Sequence, residues 1–447
     1  MIHFRYIFFT LLITLFQTFV TGQEDKHFVR VLYEPKDALQ CRVDLIRQAK
    51  KEILLSYFII VDDLSGSILL NLLAEASKER GVLVRILMDK NGSKISAPMR
   101  ALLEKSGVEL HRFDLKNKGI ERLYHGLHEK MLITDGEFLI VGGRNIQDPY
   151  YGMSKKFNLI DYDLLTNADS VLLEARFHFY SLWADEKLSS PFAAPTVKPQ
   201  RQARHLKKLV SYKTEIREKF GIRLDSSRNW RKGYQMNASD VGFIHDDFFI
   251  KRGKKYYKTD IKDEGSTSAL IEMVENAKHI IFIENPYFIP TKRWTNALCD
   301  ASNRGVRICL LTTSMMTNDL PIRYAGYRHR RNKILSDGIE IWEFQGHLRF
   351  HGKTMLVDSQ MLVVGSYNIH LPSVRYNTEV AVWTKDKKAV KRHMDVWESR
   401  LENSLQIGSN NKPIPHPNKK FPKPSLWLCA KTNFLRYTVA PAFWWLL

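Results

Sequence analysis

Two stretches of the sequence carry side chains whose types and spacing suit the chemistry of a phosphodiester: His128-x-Lys130-x4-Asp135 and His351-x-Lys353-x4-Asp358. Threaded as a strand, every second residue shares a face, so each histidine projects beside its lysine. The candidate catalytic residues are thus His128, Lys130, Asp135, His351, Lys353 and Asp358, with each aspartate, an odd number of residues from its histidine, better placed to brace backbone than to touch substrate. Each stretch then runs through a second apolar strand into a small-residue turn, Gly142-Gly143-Arg144-Asn145 in the first and Gly365-Ser366-Tyr367-Asn368 in the second. Small residues such as Gly143 and Ser366 let the backbone and the Asn145 and Asn368 amides approach a ligand closely.

One such unit offers an imidazole, a fixed cation and an amide; two units brought together offer a pair of each. One histidine can then attack phosphorus in line, while the other protonates the departing alcohol and later deprotonates the incoming one. The lysines and asparagines hold the non-bridging oxygens and the charge that builds on them. Carboxylates are expected to orient the imidazoles. The candidates are Glu379, in Asn377-Thr378-Glu379-Val380, and Asp163, in Asp161-Tyr162-Asp163-Leu164, read as its first-half counterpart. A single His-x-Lys pair is usually surface decoration, but His128–Asn145 matches His351–Asn368 position for position without a gap. A lysine beside each histidine puts a cation where a metal would sit, and no carboxylate shares the histidine face. Neither a metal nor a cofactor is expected.

The elements that must position these residues also occur twice. Ala49-Lys50-Lys51-Glu52-Ile53-Leu54 answers to Ala277-Lys278-His279-Ile280-Ile281-Phe282, and Arg80-Gly81-Val82-Leu83-Val84 to Arg304-Gly305-Val306-Arg307-Ile308. In each pair a helix end, with glycine suited to its C-cap, runs into a buried apolar strand. The expected fold is therefore α/β: two pseudo-symmetric α/β/α domains, each a mixed sheet flanked by helices, sharing one central active site. The domains are placed at residues 27–195 and 233–402. Between them, residues 196–232 read as a basic linker with a helical portion, carrying Arg201, Arg204, Lys207, Lys208, Lys213, Arg217, Lys219 and Arg223.

A chain of 447 residues, 44% hydrophobic and 26% charged, has room for two ordinary cores. The 68 basic against 48 acidic side chains leave a net +20, which attracts any polyanion and does not choose between nucleic acid and anionic lipid. Residues 1–22 hold Arg5, an apolar run from Tyr6 to Val20 and two small residues. They read as a signal peptide, or alternatively as a membrane anchor, exporting the body to face the periplasm or to be secreted. Cys41, Cys299, Cys309 and Cys429 form no C-x-x-C and read as buried thiols. The tail, residues 403–447, is rich in lysine and proline and ends Phe443-Trp444-Trp445-Leu446-Leu447, which suits a membrane interface or a packed cap.

The paired motifs resemble those of the phospholipase D superfamily, and the words around them are similar to the bacterial cardiolipin synthase branch of C type. The likeness runs from about Leu32 to Trp397. It is carried by Val141-Gly142-Gly143-Arg144-Asn145-Ile146, Asp161-x-Asp163, Asn285-Pro286-Tyr287-Phe288-Ile289-Pro290, Ala325-Gly326-Tyr327 and Asn377-Thr378-Glu379. The resemblance implies a monomer that moves a phosphatidyl group through a phosphohistidine without metal. His128 would be the nucleophile and His351 the general acid/base, with phosphatidylglycerol and phosphatidylethanolamine as substrates at a membrane surface. Ile369-His370-Leu371-Pro372-Ser373 departs from the family pattern and leaves the substrate open. A phospholipase D hydrolysing lipid to phosphatidic acid uses the same residues. A nuclease fits less well, because small nucleases of this type carry one motif per chain.

Overall fold

The computed structural model describes residues 27–114, 126–192, 195–226, 228–231, 240–246, 249–252, 255–258 and 265–442. The 1–22 segment and the terminal Phe443–Leu447 lie outside them.

The first half contributes β1 (Val29–Leu32), β2 (Glu52–Tyr57), β3 (Leu83–Asp89), β4 (Glu109–Phe113), the short β5 (Gly126–Leu127), β6 (Lys130–Thr134), β7 (Phe138–Gly142), the short β8 (Leu159–Ile160), β9 (Asp163–Thr166) and β10 (Ser189–Pro191). Eight of these form one sheet in the order β1-β9-β7-β6-β2-β3-β4-β10. The second half supplies β11 (Val241–His245), a hairpin of β12 (Phe249–Arg252) and β13 (Lys255–Lys258), β14 (Ile280–Glu284), β15 (Arg307–Thr313), β16 (Ile339–Phe344), the short β17 (Arg349–Phe350), β18 (Thr354–Val357), β19 (Met361–Gly365), the short β20 (Asn377–Thr378), β21 (Val380–Thr384) and β22 (Ser404–Ile407). Its sheet runs β11-β21-β19-β18-β14-β15-β16-β22, the same order strand for strand.

In both sheets the centre is parallel and the motif strands run antiparallel to it. The central strands are mainly apolar and buried, all of Glu52–Tyr57 and all but Arg307 of Arg307–Thr313, as strands covered on both faces must be. Helices Pro35–Gln48, Leu64–Arg80 and Ala97–Lys105 cover the outer face of the first sheet, and Ser266–Asn276, Lys292–Asn303 and Pro321–Ser336 cover that of the second. A third core joins the inner faces, where Leu54, Met131 and Val141 share one apolar cluster with Leu311, Leu356 and Val364. Side chains of both halves fill this core, so neither half buries its inner face alone.

Two boundaries differ from expectation. The helical portion expected within the 196–232 linker is Pro199–Phe220, but it packs as part of the first unit: it buries Leu209 and Ile216 in the first outer core, while its cations face water or pair with Glu75 and Glu215. The second unit extends past residue 402, because β22 closes the sheet edge against β16 and buries Ile407. Cys41 and Cys309 are buried, Cys299 and Cys429 half-buried, and all four are free thiols. Among the described residues, no helix is long and apolar enough to cross a membrane.

Candidate active site

Two short parallel pairings stitch the halves together at the site. β5 pairs with β20 and β17 with β8, so the residues just before each histidine lie beside those just before a carboxylate of the other half. The register carries on: the His128 amide donates to the Thr378 carbonyl at 3.1 Å, and the His351 amide to the Ile160 carbonyl at 2.9 Å. The next residues along the partner segments are Glu379 and Asp161. His128 Nδ1 accordingly meets Glu379 Oε2 at 2.9 Å, and His351 Nδ1 meets Asp161 Oδ2 at 2.5 Å. Each imidazole is held by a carboxylate from the opposite half. A carboxylate at Nδ1 keeps the proton there and leaves the Nε2 lone pair free.

The expectation for Asp163 is corrected. β7 pairs Gly142 with Asp163, and β19 pairs Gly365 with Ala381, so Asp163 is equivalent to Ala381 and Asp161 to Glu379. Asp163 is fully buried and binds Arg42 at 2.9 Å and Arg144 at 3.3 Å, tying the Gly142–Asn145 turn to the helix Pro35–Gln48. The family word Asp161-x-Asp163 contained the right residue; only the register distinguishes the two.

The motifs counted Asp135 and Asp358 among the catalytic residues, and that expectation is corrected: both stand away from the cavity. Each sits in the turn after its motif strand with positive φ, 55° and 53°, and uses its carboxylate as a backbone clamp. Asp135 accepts the amides of Lys50, Lys51 and Glu52, and Asp358 those of Lys278, His279 and Ile280. Burial would raise the Asp358 pKa, but the three amides outweigh it and hold the carboxyl below its ordinary value.

Lys130 and Lys353 do lie with the histidines. Lys353 Nζ donates to the His351 carbonyl at 2.7 Å and stands 2.8 Å from His351 Nδ1, and Lys130 Nζ donates to the His128 carbonyl at 2.5 Å. Burial pushes the Lys130 ammonium down to about 7, with Glu379 opposing and Lys353 adding to the shift. Burial, Lys130 and Lys353 depress His128 well below its ordinary value. His351 is lowered by burial and Lys353, against the pull of Asp161.

The small-residue turns differ between the halves. A Cβ on Gly143 would lie 2.1 Å from Asp161 Oδ1, so glycine is what lets that carboxylate sit close. Ser366, at the equivalent place, donates its hydroxyl to Glu379 Oε2, and Ser373 donates to Oε1. Asn145 accepts the Ile59 amide at 3.1 Å and donates to the Tyr150 hydroxyl at 2.8 Å; Asn368 is buried with its Oδ1 unpaired. Both asparagines line the shared cavity.

That cavity, of about 470 Å³, is lined by both histidines and by Asp89, Tyr287, Arg323 and His370. Sequence reasoning gave these four no role. Tyr150 and Tyr287 set their rings edge-on to His351 at 5.4 and 5.8 Å, and Phe58 flanks His128 at 4.9 Å. Burial raises Asp89 to about 6 and lowers Arg323 to about 10. His370 caps the helix Leu371–Arg375 by accepting the Ser373 amide. A signal for Tyr287 existed in the Asn285–Pro290 word, and one for His370 in its departure from the family pattern. Among the described residues, no group of three or more His, Cys, Asp or Glu is arranged to hold a metal ion.

Two matched α/β halves with their motif histidines at one cavity, each histidine backed by its buried lysine, define an enzyme of the phospholipase D superfamily. The chain matches the family described as "Cardiolipin synthase, PLD-like domain" over residues 43–183 and 270–401, and it belongs to that family. Cardiolipin synthase C of Escherichia coli K12 is 26% identical over 408 residues, 82% of this chain and 85% of its own. An uncharacterised protein of Helicobacter pylori J99 is 28% identical over 445 residues, 88% and 86% of the two chains. The phosphatidylserine synthase structure from Haemophilus influenzae Rd KW20 superposes with a TM-score of 0.67 at 13% identity, covering 95% of this chain and 98% of that one, and so shares the fold.

Proposed function

We propose that this chain is a phosphatidyltransferase that makes cardiolipin through a covalent phosphohistidine, taking phosphatidylglycerol as acceptor and phosphatidylglycerol or phosphatidylethanolamine as donor. One observation carries the reading: two imidazoles, each tied at Nδ1 to a carboxylate of the other half, face a single cavity. His128 Nε2 attacks phosphorus, and the bond to the leaving alcohol breaks as His351 Nε2 gives that oxygen its proton. The acceptor hydroxyl then loses its proton to His351 and attacks phosphorus, breaking the P–N bond and freeing His128. Lys130 and Lys353 hold the non-bridging oxygens throughout.

The division of labour is supported by how each carboxylate is shared. Glu379 accepts two serine hydroxyls besides His128, which spreads its charge and leaves His128 neutral and nucleophilic. Asp161 has no serine donor in its turn and sits 2.5 Å from His351, where it opposes the lowering by burial and Lys353, so His351 is depressed less than His128 and is the better placed of the two to carry the proton of a general acid. With both motifs in one chain we read the enzyme as a monomer. A lysine at each histidine supports a metal-free reaction, and the 1–22 segment supports work on the outer side of a bacterial inner membrane.

The test is to incubate the purified protein with phosphatidylglycerol and phosphatidylethanolamine in detergent micelles and identify the products by mass spectrometry, with His128→Ala as blank. Cardiolipin in the wild-type sample alone supports the reading. Phosphatidic acid without cardiolipin makes the chain a hydrolase, and no lipid product turns attention to other phosphodiesters. Saturating EDTA should leave the rate unchanged.

A further inference from the structure

From Asn403 to Leu447 the sequence has no Asp or Glu, yet it carries Lys412, Lys419, Lys420, Lys423, Lys431 and Arg436. The later part of this segment is a helical arm: Leu426–Phe434, a wider turn over Leu435–Val439, then Ala440–Ala442. It lies on the helix Pro321–Ser336 and buries only Thr432 and Ala440. Its large rings stand open to water, with Trp427 69%, Phe434 62% and Tyr437 65% exposed, among exposed Lys431, Asn433 and Thr438. The spacing of seven puts Trp427 and Phe434 on one side of the helix Leu426–Phe434, and Tyr437 follows in the wider turn. Lys431 sits 5.1 Å over Trp427 and Arg436 4.8 Å over Tyr437, so the aromatic stripe is fringed by cations.

Three large rings held in water on one short helix are unfavourable unless something covers them. A stripe of tryptophan, tyrosine and phenylalanine fringed by cations, with no acid in the segment, suits the headgroup layer of a membrane bearing negative charge. The arm's position supplies the reason. The helix Pro321–Ser336 that carries it also lines the catalytic cavity with Arg323, and Leu320 just before it is a half-exposed apolar residue at the same cavity. Along the flank of that helix, Tyr324 and Arg328 face Lys412, Lys420 and Lys423 across a second cavity of about 910 Å³.

We propose that the arm 426–442, with the lysines before it, lies in the plane of an anionic lipid surface and turns the mouth of the catalytic cavity toward it. Its purpose rests on the phospholipid reading of the active site; its test does not. Full-length protein would be floated with vesicles of phosphatidylcholine with and without phosphatidylglycerol, as wild type, as Trp427→Ser/Phe434→Ser/Tyr437→Ser, and as Lys419→Gln/Lys420→Gln/Lys423→Gln. Because the 1–22 segment could also hold lipid, hydrogen exchange over 426–442 is followed in parallel.

Binding to phosphatidylglycerol vesicles should fall at least about tenfold in the aromatic variant. The lysine variant, all at exposed positions, should lose on the order of 10²-fold and most of the salt sensitivity. Exchange over 426–442 should slow on wild-type binding. Unchanged binding in both variants, or unchanged exchange, overturns the proposal. So does a wild-type dimer in lipid-free buffer that the aromatic variant dissociates, since the stripe would then cover a second copy. Flotation needs no turnover, so it separates from a failure of the catalytic reading. Turnover of a short-chain phospholipid below its micellar concentration should persist in both variants, which marks them as folded.

Discussion

The two halves share a strand order and a motif, and they differ at the one place where symmetry would be chemically useless. In the first half the turn carries Gly143 and the carboxylate holding an imidazole is Asp161; in the second they are Ser366 and Glu379. The shorter acid reaches over a glycine and shares its charge between His351, the Tyr162 amide and, at 3.8 Å, Lys353, with no hydroxyl donor from its turn, while the longer one is divided among His128 and the hydroxyls of Ser366 and Ser373. Two identical imidazoles would compete for both roles, and an unequal pair need not. The exchange of carboxylates across the halves adds a second lesson, since neither half contains a complete catalytic unit.

The strongest way to break this comparison is to delete the two histidines separately. His128→Ala should abolish turnover and leave no phosphoenzyme, whereas His351→Ala should lose about 10²- to 10⁴-fold on lipid. The decisive measurement is a p-nitrophenyl phosphodiester, whose leaving group needs no proton. His351→Ala should recover most of its first-turnover burst on it and His128→Ala none; the opposite pattern reverses the roles. Next in size, Asp161→Asn and Glu379→Gln should each cost on the order of 10²-fold, because second-layer partners fix the tautomer. Only Asp161→Asn should shift the limb of the pH profile on which the protonated histidine is required.

Stability sharpens the same contrast. Asp163→Asn leaves Arg42 and Arg144 buried with weakened pairing, and should cost about 3–5 kcal/mol in urea unfolding, while activity per folded molecule stays near wild type. Ala381, its second-half equivalent, carries no such load. Asp135→Ala and Asp358→Ala each strip three amides and should cost about 1–3 kcal/mol alike, with no kinetic signature of asymmetry.

The smallest effect is a proton linkage. Lys130 has a pKa of about 7 in the free site, below its ordinary 10.5, and a bound phosphodiester anion raises it again. The gain in affinity is then fully present below about pH 7 and is lost as pH rises through the pKa of the complex. Titration calorimetry of a non-hydrolysable phosphodiester above pH 7, in buffers of different ionisation enthalpy, should register proton uptake; none would mean that Lys130 is already charged.

The sequence by itself determined a great deal here. Two gapless motifs named His128, Lys130, His351 and Lys353, and the period of a strand put each lysine beside its histidine; the same motifs counted Asp135 and Asp358 as catalytic, where the structure makes them backbone clamps. The repeat in the apolar strands was enough to expect two matched sheets. The choice between Asp161 and Asp163 was not legible, because residues two apart on a strand share a face and only the pairing of Gly142 with Asp163 and of Gly365 with Ala381 sets the register. Nor could sequence show that β5 lies on β20 and β8 on β17, since contacts between residues some 200 apart leave no local pattern. Those two short pairings hand each histidine the other half's carboxylate, and only the tertiary structure decided them.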